Sequence, residues 1–344
     1  MQPPNLDDVR AAQPHVYASL KPTPLLRHPL IAERLGLDVW VKHENHNPTG
    51  AFKVRGGLNL MARLSSEDRV RGVISATTGN HGQSIAFAAA RAGVPCTLVV
   101  PRQNNPAKNA MMRAWGATLI EHGRDFDEAR EFVEAKCAAE NLRYVHSANE
   151  PDLIAGVGTY ALEIVEALAD VDVVLVPIGG GSGACGLIAV RDGLGLKTRI
   201  IGVGAQNADA VARSWRTGTR VVGDSATTFA EGIATRVTFD LTFGMLQRGL
   251  DDFISLSEAQ LAEGVRIALE LTHNLAEGAG GASLAAAVAE CDALAGQRVV
   301  CVVSGGNLDV AVLTRLLAEQ READPMSQGG PEGPPYIRRG TRGV

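Results

Sequence analysis

Lys53 has the sequence surroundings most typical of a reactive lysine. It lies in NPTGAFKVRGG, residues 47–57, where glycines and small residues lead into a predicted helix. A lysine amine attacks a carbonyl carbon only when it is neutral, and partial burial near a helix N-terminus disfavours the ammonium form. Gly50 and Ala51 leave room for a flat ring, and Phe52 offers an apolar wall. The segment predicts a lysine that binds a carbonyl compound, with a surface lysine on a turn as the alternative.

A glycine-rich turn, PIGGGSGACG at residues 177–186, follows a strongly apolar predicted strand. Its central side chains are small or absent, so backbone N–H groups there can surround a phosphate, and the dipole of the next helix adds to the attraction. A tight strand-to-helix turn is the plain alternative, although five small residues exceed what a turn needs. The residues predicted to hold the phosphate are Gly179, Gly180, Gly181, Ser182 and Gly183.

The same turn also fits the dinucleotide fingerprint G-x-G-x-x-G, at Gly181, Gly183 and Gly186. That fingerprint requires an acidic residue about twenty positions later to bind the ribose. Ala205 stands at the tip of the next predicted strand, and Asp209 comes a few residues late. An NAD(P)-dependent dehydrogenase is therefore the less favoured class. A nucleotide-binding P-loop is excluded because no G-K-[ST] follows these glycines. A G-x-S-x-G nucleophile elbow around Ser182 is excluded because its last glycine is replaced by Ala184.

Two further turns place polar side chains at strand ends, TTGNHGQ from residue 77 and SGGN from residue 304. Asn80 can donate a hydrogen bond to a phenolic oxygen, and the N–H groups of its loop can hold a carboxylate. For His81, a solvent-facing helix start is an equal alternative, and for Ser304 a simple strand cap. One ligand accounts for Lys53, the glycine turn, Asn80 and Ser304 together, namely pyridoxal 5'-phosphate.

The elements that must position these residues alternate between apolar strands and helices, which indicates an α/β protein with parallel sheets covered on both faces. We expect two parallel-sheet α/β domains with the cofactor cleft between them, because ligands bind at the carboxyl ends of such strands. Residues 1–70 and 150–325 form the predicted large cofactor-binding domain, and residues 71–149 the small domain. The tail 326–344 is rich in Gly and Pro and is predicted to be flexible.

Composition narrows the possible partners and the compartment. The net charge is −5 and no long basic run is present, which argues against nucleic acid and anionic membranes. No apolar stretch is long enough to cross a bilayer, and the N-terminus does not read as a signal peptide. Five scattered cysteines without zinc spacing fit a reducing cytoplasm. We expect a cytoplasmic homo-oligomer, a dimer or tetramer, that acts on a small-molecule amino acid.

From about Pro22 to Leu317 the sequence resembles the pyridoxal-phosphate enzymes of the tryptophan synthase β fold (fold type II), and within them the threonine/serine dehydratase group. The motifs that carry the resemblance are KPTPLL, NPTGAFKVRG, TTGNHGQS, VPIGGGSGACG, FAEGIAT, LAEGAGGASLAAA and SGGN. The resemblance implies that Lys53 holds the cofactor and is the catalytic base. It implies cofactor contacts from Phe52, Asn80, Gly179, Gly180, Gly181, Ser182, Gly183 and Ser304. It implies substrate contacts from Thr77, Thr78, Gly79, Asn80 and His81.

The sequence departs from that group at several positions. Ser182 replaces a glycine of the phosphate loop, and its hydroxyl can still bond a phosphate. Thr78 stands where serine racemases carry a second acid/base; it keeps a hydroxyl but is stiff at χ1. Val157 replaces a glutamine, with a consequence that the sequence does not reveal. Glu231 occupies the position of an aspartate linked to a metal in some members, so it is a weak candidate for a divalent-cation ligand. We also expect no C-terminal regulatory domain, because about 27 residues remain after the matched region.

The resemblance implies elimination of water from a β-hydroxy amino acid, most simply L-threonine or L-serine, followed by hydrolysis of the product imine to a 2-oxo acid and ammonia. A dehydratase for another such substrate, for example 3-hydroxyaspartate, and a serine racemase are the alternatives within the enzyme class. A non-catalytic amino-acid-binding protein on the same fold is the alternative outside it, and an intact Lys53 argues against that class.

Overall fold

The structure is a computed structural model that describes residues 1–323. The predicted flexible tail, 326–344, lies outside the described residues. Within them the strands are β1 (Leu25–Arg27), β2 (Asp38–His43), β3 (Val73–Ala76), β4 (Cys96–Val100), β5 (Thr118–Glu121), β6 (Arg143–Tyr144), β7 (Val173–Pro177), β8 (Arg199–Ala205), β9 (Asp252–Leu256) and β10 (Arg298–Val303).

The α-helices of the same region connect these strands and cover the sheets. They are α1 (Leu6–Tyr17), α2 (Pro29–Leu35), α3 (Lys53–Ala62), α4 (Ser66–Arg71), α5 (Asn80–Ala92), α6 (Pro106–Ala114), α7 (Phe126–Glu140), α8 (Pro151–Ala167), α9 (Ser182–Leu194), α10 (Ala210–Thr217), α11 (Asp240–Gly249), α12 (Glu258–Thr272), α13 (Gly278–Ala289) and α14 (Val310–Ala323).

The larger sheet has six strands in the order β1-β2-β10-β7-β8-β9. Its central strands β7 and β10 are almost continuously apolar because both faces are buried. Val300 and Val302 of β10 belong to the core with α8 and α9, whereas Val299 and Cys301 belong to the core with α12 and α13. This alternation along one strand shows the period-two geometry of a strand covered by helices on both sides.

The smaller sheet has four parallel strands in the order β5-β4-β3-β6. Its strands all lie between residues 73 and 144, while the six-stranded sheet draws on residues before and after this segment. We propose the domain boundaries 1–70 with 150–325 and 71–149 on this basis; residues 324 and 325 of this range lie outside the described residues.

The predicted α/β class with parallel sheets is confirmed, with one addition. Strand β1 pairs with β2 in the antiparallel sense, Leu26 opposite Val41. Three residues at a sheet edge are too short to give a periodic signal, which is why the sequence did not predict this strand. No helix of residues 1–323 is long and apolar enough to cross a membrane.

Candidate active site

Lys53 is the first residue of α3, directly after a turn in which Gly50 takes the left-handed conformation with φ +67°. Its Nζ donates to Ser182 Oγ at 2.8 Å and to the Ser147 carbonyl at 3.3 Å. The amine lies 5.2 Å from the centre of the Phe52 ring, the apolar wall that the sequence predicted. Burial lowers the pKa of the Lys53 amine to about 8. The lysine is thus held in a setting that enlarges its neutral fraction.

A buried ion cluster anchors the helix that carries this lysine. Arg55, two residues after Lys53, is fully buried and donates to both oxygens of Glu44 and both oxygens of Glu163. The Lys42 ammonium also pairs with Glu163. Although burial opposes ionisation, Arg55 and Lys42 lower the pKa of the Glu163 carboxyl. The cluster ties α3 to β2 and α8, and so fixes the start of α3 relative to the larger sheet.

The glycine turn after β7 forms the predicted cradle at the start of α9. Gly181 is the N-cap, with φ +94°, and no side chain caps this helix end. A Cβ at Gly179 would lie 2.3 Å from the Gly232 carbonyl oxygen, so a side chain has no room there. The first N–H groups of α9 are therefore left for an anion. The phosphate of pyridoxal phosphate fits this cradle, and the neighbouring Lys53 suits its aldehyde.

The turn between β3 and α5 is held by a threonine hydroxyl. Thr77 Oγ1 accepts hydrogen bonds from the backbone N–H groups of Gly79 at 3.0 Å and Gly82 at 2.9 Å. His81 is buried and its Nε2 lies 2.9 Å from Ser75 Oγ. Burial first, and Lys53 second, lower the pKa of the His81 imidazole to about 3, so His81 is neutral at physiological pH. Its placement excludes the solvent-facing alternative.

Ser304 follows β10 and meets the lysine segment directly. Its carbonyl accepts a hydrogen bond from the Phe52 N–H at 3.0 Å, and Ala51 forms an isolated bridge with Gly305. This contact brings the end of β10 beside the start of α3. Helix α13 packs closely on the same turn, because a Cβ at Gly280 would lie only 2.0 Å from the Gly305 carbonyl oxygen.

All the predicted site residues line one cleft of about 440 Å³ at the carboxyl ends of strands from both sheets. This volume lies in the range typical of small-molecule and cofactor sites. The structure therefore brings the predicted residues together, while their individual roles stay predictions. The predicted residues on its wall are Phe52, Lys53, Thr77, Thr78, Gly79, Asn80, His81, Gly179, Gly180, Gly181, Ser182, Gly183, Glu231 and Ser304.

Among the polar residues that the sequence reasoning missed, Glu277 and Lys108 line this cleft, and Asn307 contacts its wall through Asn80. Glu277, at the N-cap of α13, accepts a hydrogen bond from Asn80 Nδ2 at 2.6 Å. Burial raises the pKa of the Glu277 carboxyl to about 7. Asn307 bonds to the other end of the Asn80 amide. Glu277 and Asn307 lie in the motifs LAEGAGG and SGGN, so these motifs could have identified them as site residues. Lys108 stands in an ordinary helical sequence, and no local pattern distinguishes it from a surface lysine.

Lys108 crosses the cleft from the smaller-sheet side and pairs with Glu231 on the other wall. The weak metal-ligand candidate Glu231 is thus engaged with a lysine. In the region that the structure describes, no group of three or more His, Cys, Asp or Glu residues is placed to hold a metal ion. The lysine stem packs against the turn that carries Asn80, because a Cβ at Gly79 would lie 2.9 Å from Lys108 Cδ.

Comparisons with known proteins agree with this architecture. The family model of pyridoxal-phosphate-dependent enzymes matches residues 16–305. An L-threonine ammonia-lyase from Thermotoga maritima is 36% identical over 312 residues, which cover 91% of this chain and 78% of that protein. An L-threo-3-hydroxyaspartate ammonia-lyase from Saccharomyces cerevisiae is 31% identical, over 93% of this chain and 98% of that protein. The structure of processed threonine deaminase isoform 2 from Solanum lycopersicum matches with a TM-score of 0.85 at 28% identity, covering 92% of this chain and 95% of that one.

Proposed function

Because the chain belongs to the family of pyridoxal-phosphate-dependent enzymes, we propose that it eliminates water from a β-hydroxy amino acid, L-threonine or L-serine. Hydrolysis of the resulting imine takes up one water again, so that the net products are a 2-oxo acid and ammonia. The observation that carries the proposal is the meeting of Lys53, Asn80, the glycine cradle and Ser304 on one cleft. The ammonia-lyase names of its relatives support the choice of reaction.

Lys53 is the proposed base of the reaction. Pyridoxal phosphate, when bound, supplies an electron sink for the charge that develops at the substrate Cα. With a pKa of about 8, roughly a tenth of the Lys53 amine is neutral at pH 7. The neutral amine takes the proton from Cα, and the resulting ammonium can return a proton to the β-hydroxyl as it leaves.

The turn before α5 is the proposed site of the substrate carboxylate. Gly79 is the N-cap of α5 and has no side chain to cap it, while the Thr77 hydroxyl engages the N–H of Gly82, the third residue of the helix. The N–H groups of Asn80 and His81, the first two of the helix, remain for a carboxylate, and the helix dipole favours the negative charge. Thr77 holds the turn in this shape through its two backbone hydrogen bonds.

Ser304 is the proposed partner of the cofactor's ring nitrogen. A carboxylate there would favour a protonated ring nitrogen, whereas a neutral hydroxyl does not. A serine at this place therefore favours rapid loss of the β-hydroxyl over return of the proton to Cα.

The charges of the cleft favour a substrate with a neutral side chain. Lys108 is mostly buried beside the turn proposed to hold the substrate, and Glu231 already compensates its charge. A second substrate carboxylate, as in 3-hydroxyaspartate, would have to compete with Glu231 for this lysine. We therefore favour threonine and serine over hydroxyaspartate. Thr78 lines the cleft with a hydroxyl, so serine racemisation is an outcome that the same assay must measure.

A substrate panel tests the proposal. Purified protein supplied with pyridoxal phosphate should form 2-oxo acid and ammonia from L-threonine or L-serine, without nicotinamide. Lys53→Ala should abolish turnover, whereas Lys136→Ala, on α7 and paired with Glu140, should not. Borohydride reduction and peptide mapping should label Lys53. Racemised product without oxo acid, or label on another lysine, would contradict the proposal.

We also propose a cytoplasmic homo-oligomer, a dimer or tetramer. All five cysteines are free thiols in the structure, and three of them are buried, which suits a reducing compartment. Cell fractionation tests the compartment, and light scattering after size-exclusion chromatography tests the assembly. A monomer at micromolar concentration would contradict the oligomer.

A further inference from the structure

Asn307, the last residue of the SGGN motif, bonds to a backbone carbonyl that fixes its amide orientation. Its Nδ2 lies 2.8 Å from the Thr49 carbonyl oxygen, an atom that can only accept. The same Nδ2 lies 2.7 Å from a side-chain atom of Asn80. An amide nitrogen has two hydrogens and no free lone pair, so it donates to both neighbours. The Asn80 atom that faces it must therefore be the oxygen Oδ1.

The orientation of Asn80 follows from that of Asn307. With its oxygen toward Asn307, Asn80 turns its amide nitrogen toward Glu277, where Nδ2 donates to Oε1 at 2.6 Å. The second hydrogen of this NH₂ group is left for the cleft, whose wall Asn80 forms in part. The two ends of an asparagine amide differ in chemistry, because one donates and the other accepts. The hydrogen bonds that run from Thr49 through Asn307 and Asn80 to Glu277 form a relay, and this relay determines whether the nitrogen or the oxygen of the Asn80 amide faces the cleft.

Two glycines leave the space that this relay requires. A Cβ at Gly50 would lie 2.5 Å from Asn307 Oδ1, and a Cβ at Gly305 would lie 2.5 Å from Glu277 Oε1. Gly50 precedes the cofactor lysine in NPTG, and Gly305 belongs to SGGN. The two motifs can therefore approach closely enough for the hydrogen bonds of the relay to form, because both positions are glycine.

We infer that Asn307 is a positioning residue, which holds Asn80 so that an amide donor, and not the carbonyl acceptor, faces the ring oxygen of the cofactor. The inference rests on the proposed function of the cleft and on the proposed contact of Asn80 with that oxygen. Asn307 acts through Asn80, and it need not touch the cofactor itself.

Two substitutions at residue 307 separate orientation from packing. Asn307→Asp keeps the volume but only accepts hydrogen bonds, so it draws the Asn80 nitrogen toward itself and turns the acceptor to the cleft. Asn307→Ala removes volume without imposing the wrong orientation. We expect the cofactor dissociation constant of the holoenzyme to rise about 3–10-fold in Asn307→Ala, as for one lost hydrogen bond, and further in Asn307→Asp. The visible absorption maximum of the bound cofactor should shift in Asn307→Asp.

The order of the two variants decides the inference. A residue that only fills space would make Asn307→Ala the worse of the two, and that order would overturn the inference. Asn141→Asp is the matched control, because it adds the same charge at an exposed left-handed helix end that aspartate tolerates. It should leave the dissociation constant and the spectrum unchanged.

A double-mutant cycle covers the case in which Asn307→Asp does not fold. Asn307→Ala and Asn80→Ala should be coupled at least about threefold in cofactor dissociation constant, because Asn307 acts through Asn80. Additive effects would overturn the inference. If Asn80→Ala itself leaves cofactor binding unchanged, the proposed contact of Asn80 is wrong. If Asn80→Ala weakens binding while both Asn307 variants do not, only the role of Asn307 fails.

Discussion

Glu277 should make the protein less stable as pH rises, and Glu277→Gln should remove this effect. Burial is the main cause that raises the pKa of the Glu277 carboxyl from 4.5 to about 7; Glu231 raises the pKa further, while Lys108 and the Asn80 hydrogen bond oppose the rise. Between these pH values the folded protein binds more protons than the unfolded chain. Stability therefore falls as pH rises from 4.5 to about 7, and the full penalty remains above pH 7.

The loss of unfolding free energy caused by the ionised Glu277 follows from the difference between its folded and unfolded pKa. Each pH unit of difference between folded and unfolded pKa contributes ~1.36 kcal/mol, so the ionised carboxylate costs about 3 kcal/mol at pH 8. Glutamine keeps the volume and the acceptor for Asn80, and it carries no titratable proton. Cofactor-free Glu277→Gln should thus be up to about 3 kcal/mol more stable than wild type at pH 8, and nearly equal to it at pH 4.5.

Urea unfolding of both proteins from pH 4.5 to pH 8 measures the effect. Burial lowers the pKa of His43, His81 and His146 to about 4, 3 and 4, so these residues destabilise the fold as pH falls below 6.5. Both proteins share these histidines, and the difference between the two curves therefore isolates Glu277. Glu166→Gln, at an exposed position near the end of α8, is the control with the same chemistry. A difference that does not change with pH, or a less stable Glu277→Gln at pH 8, would refute the reasoning.

Three further outcomes follow from the contacts of the site. Arg55→Met should lower the free energy of unfolding by about 3–5 kcal/mol, because it leaves two buried carboxylates without their main partner; a loss below about 1 kcal/mol in urea unfolding would contradict this. Gly179→Ala should raise the cofactor dissociation constant about tenfold or more by crowding the cradle, whereas Gly244→Ala, whose Cβ would meet only Arg248 Nη1 at an ordinary 3.5 Å, should not. Glu231→Gln should shift the kcat/KM ratio about tenfold toward 3-hydroxyaspartate by freeing Lys108; an unchanged ratio would exclude this lysine from substrate selection.

The sequence by itself determined the α/β class and the glycine-rich and lysine-bearing parts of the cleft wall. Continuous apolar strands such as β7 and β10 predict a sheet buried on both faces, since every side chain of such a strand must leave water. Each glycine-rich turn directly follows a strand, and the carboxyl ends of parallel strands meet at one edge. The residues around Lys53, Asn80, Gly179 and Ser304 could therefore be assigned to one cleft before the fold was known.

Only the tertiary structure decided how the polar groups of the cleft pair. Asn80 and Glu277 are 197 positions apart, and Lys108 and Glu231 are 123 apart. Local sequence patterns report spacing along one helix or strand, so they carry no information on such pairs. The raised pKa of the Glu277 carboxyl has the same origin, because burial depends on what α13 packs against. The sequence supplied the chemical groups, whereas packing set their partners, their ionisation and the direction in which Asn80 presents its amide.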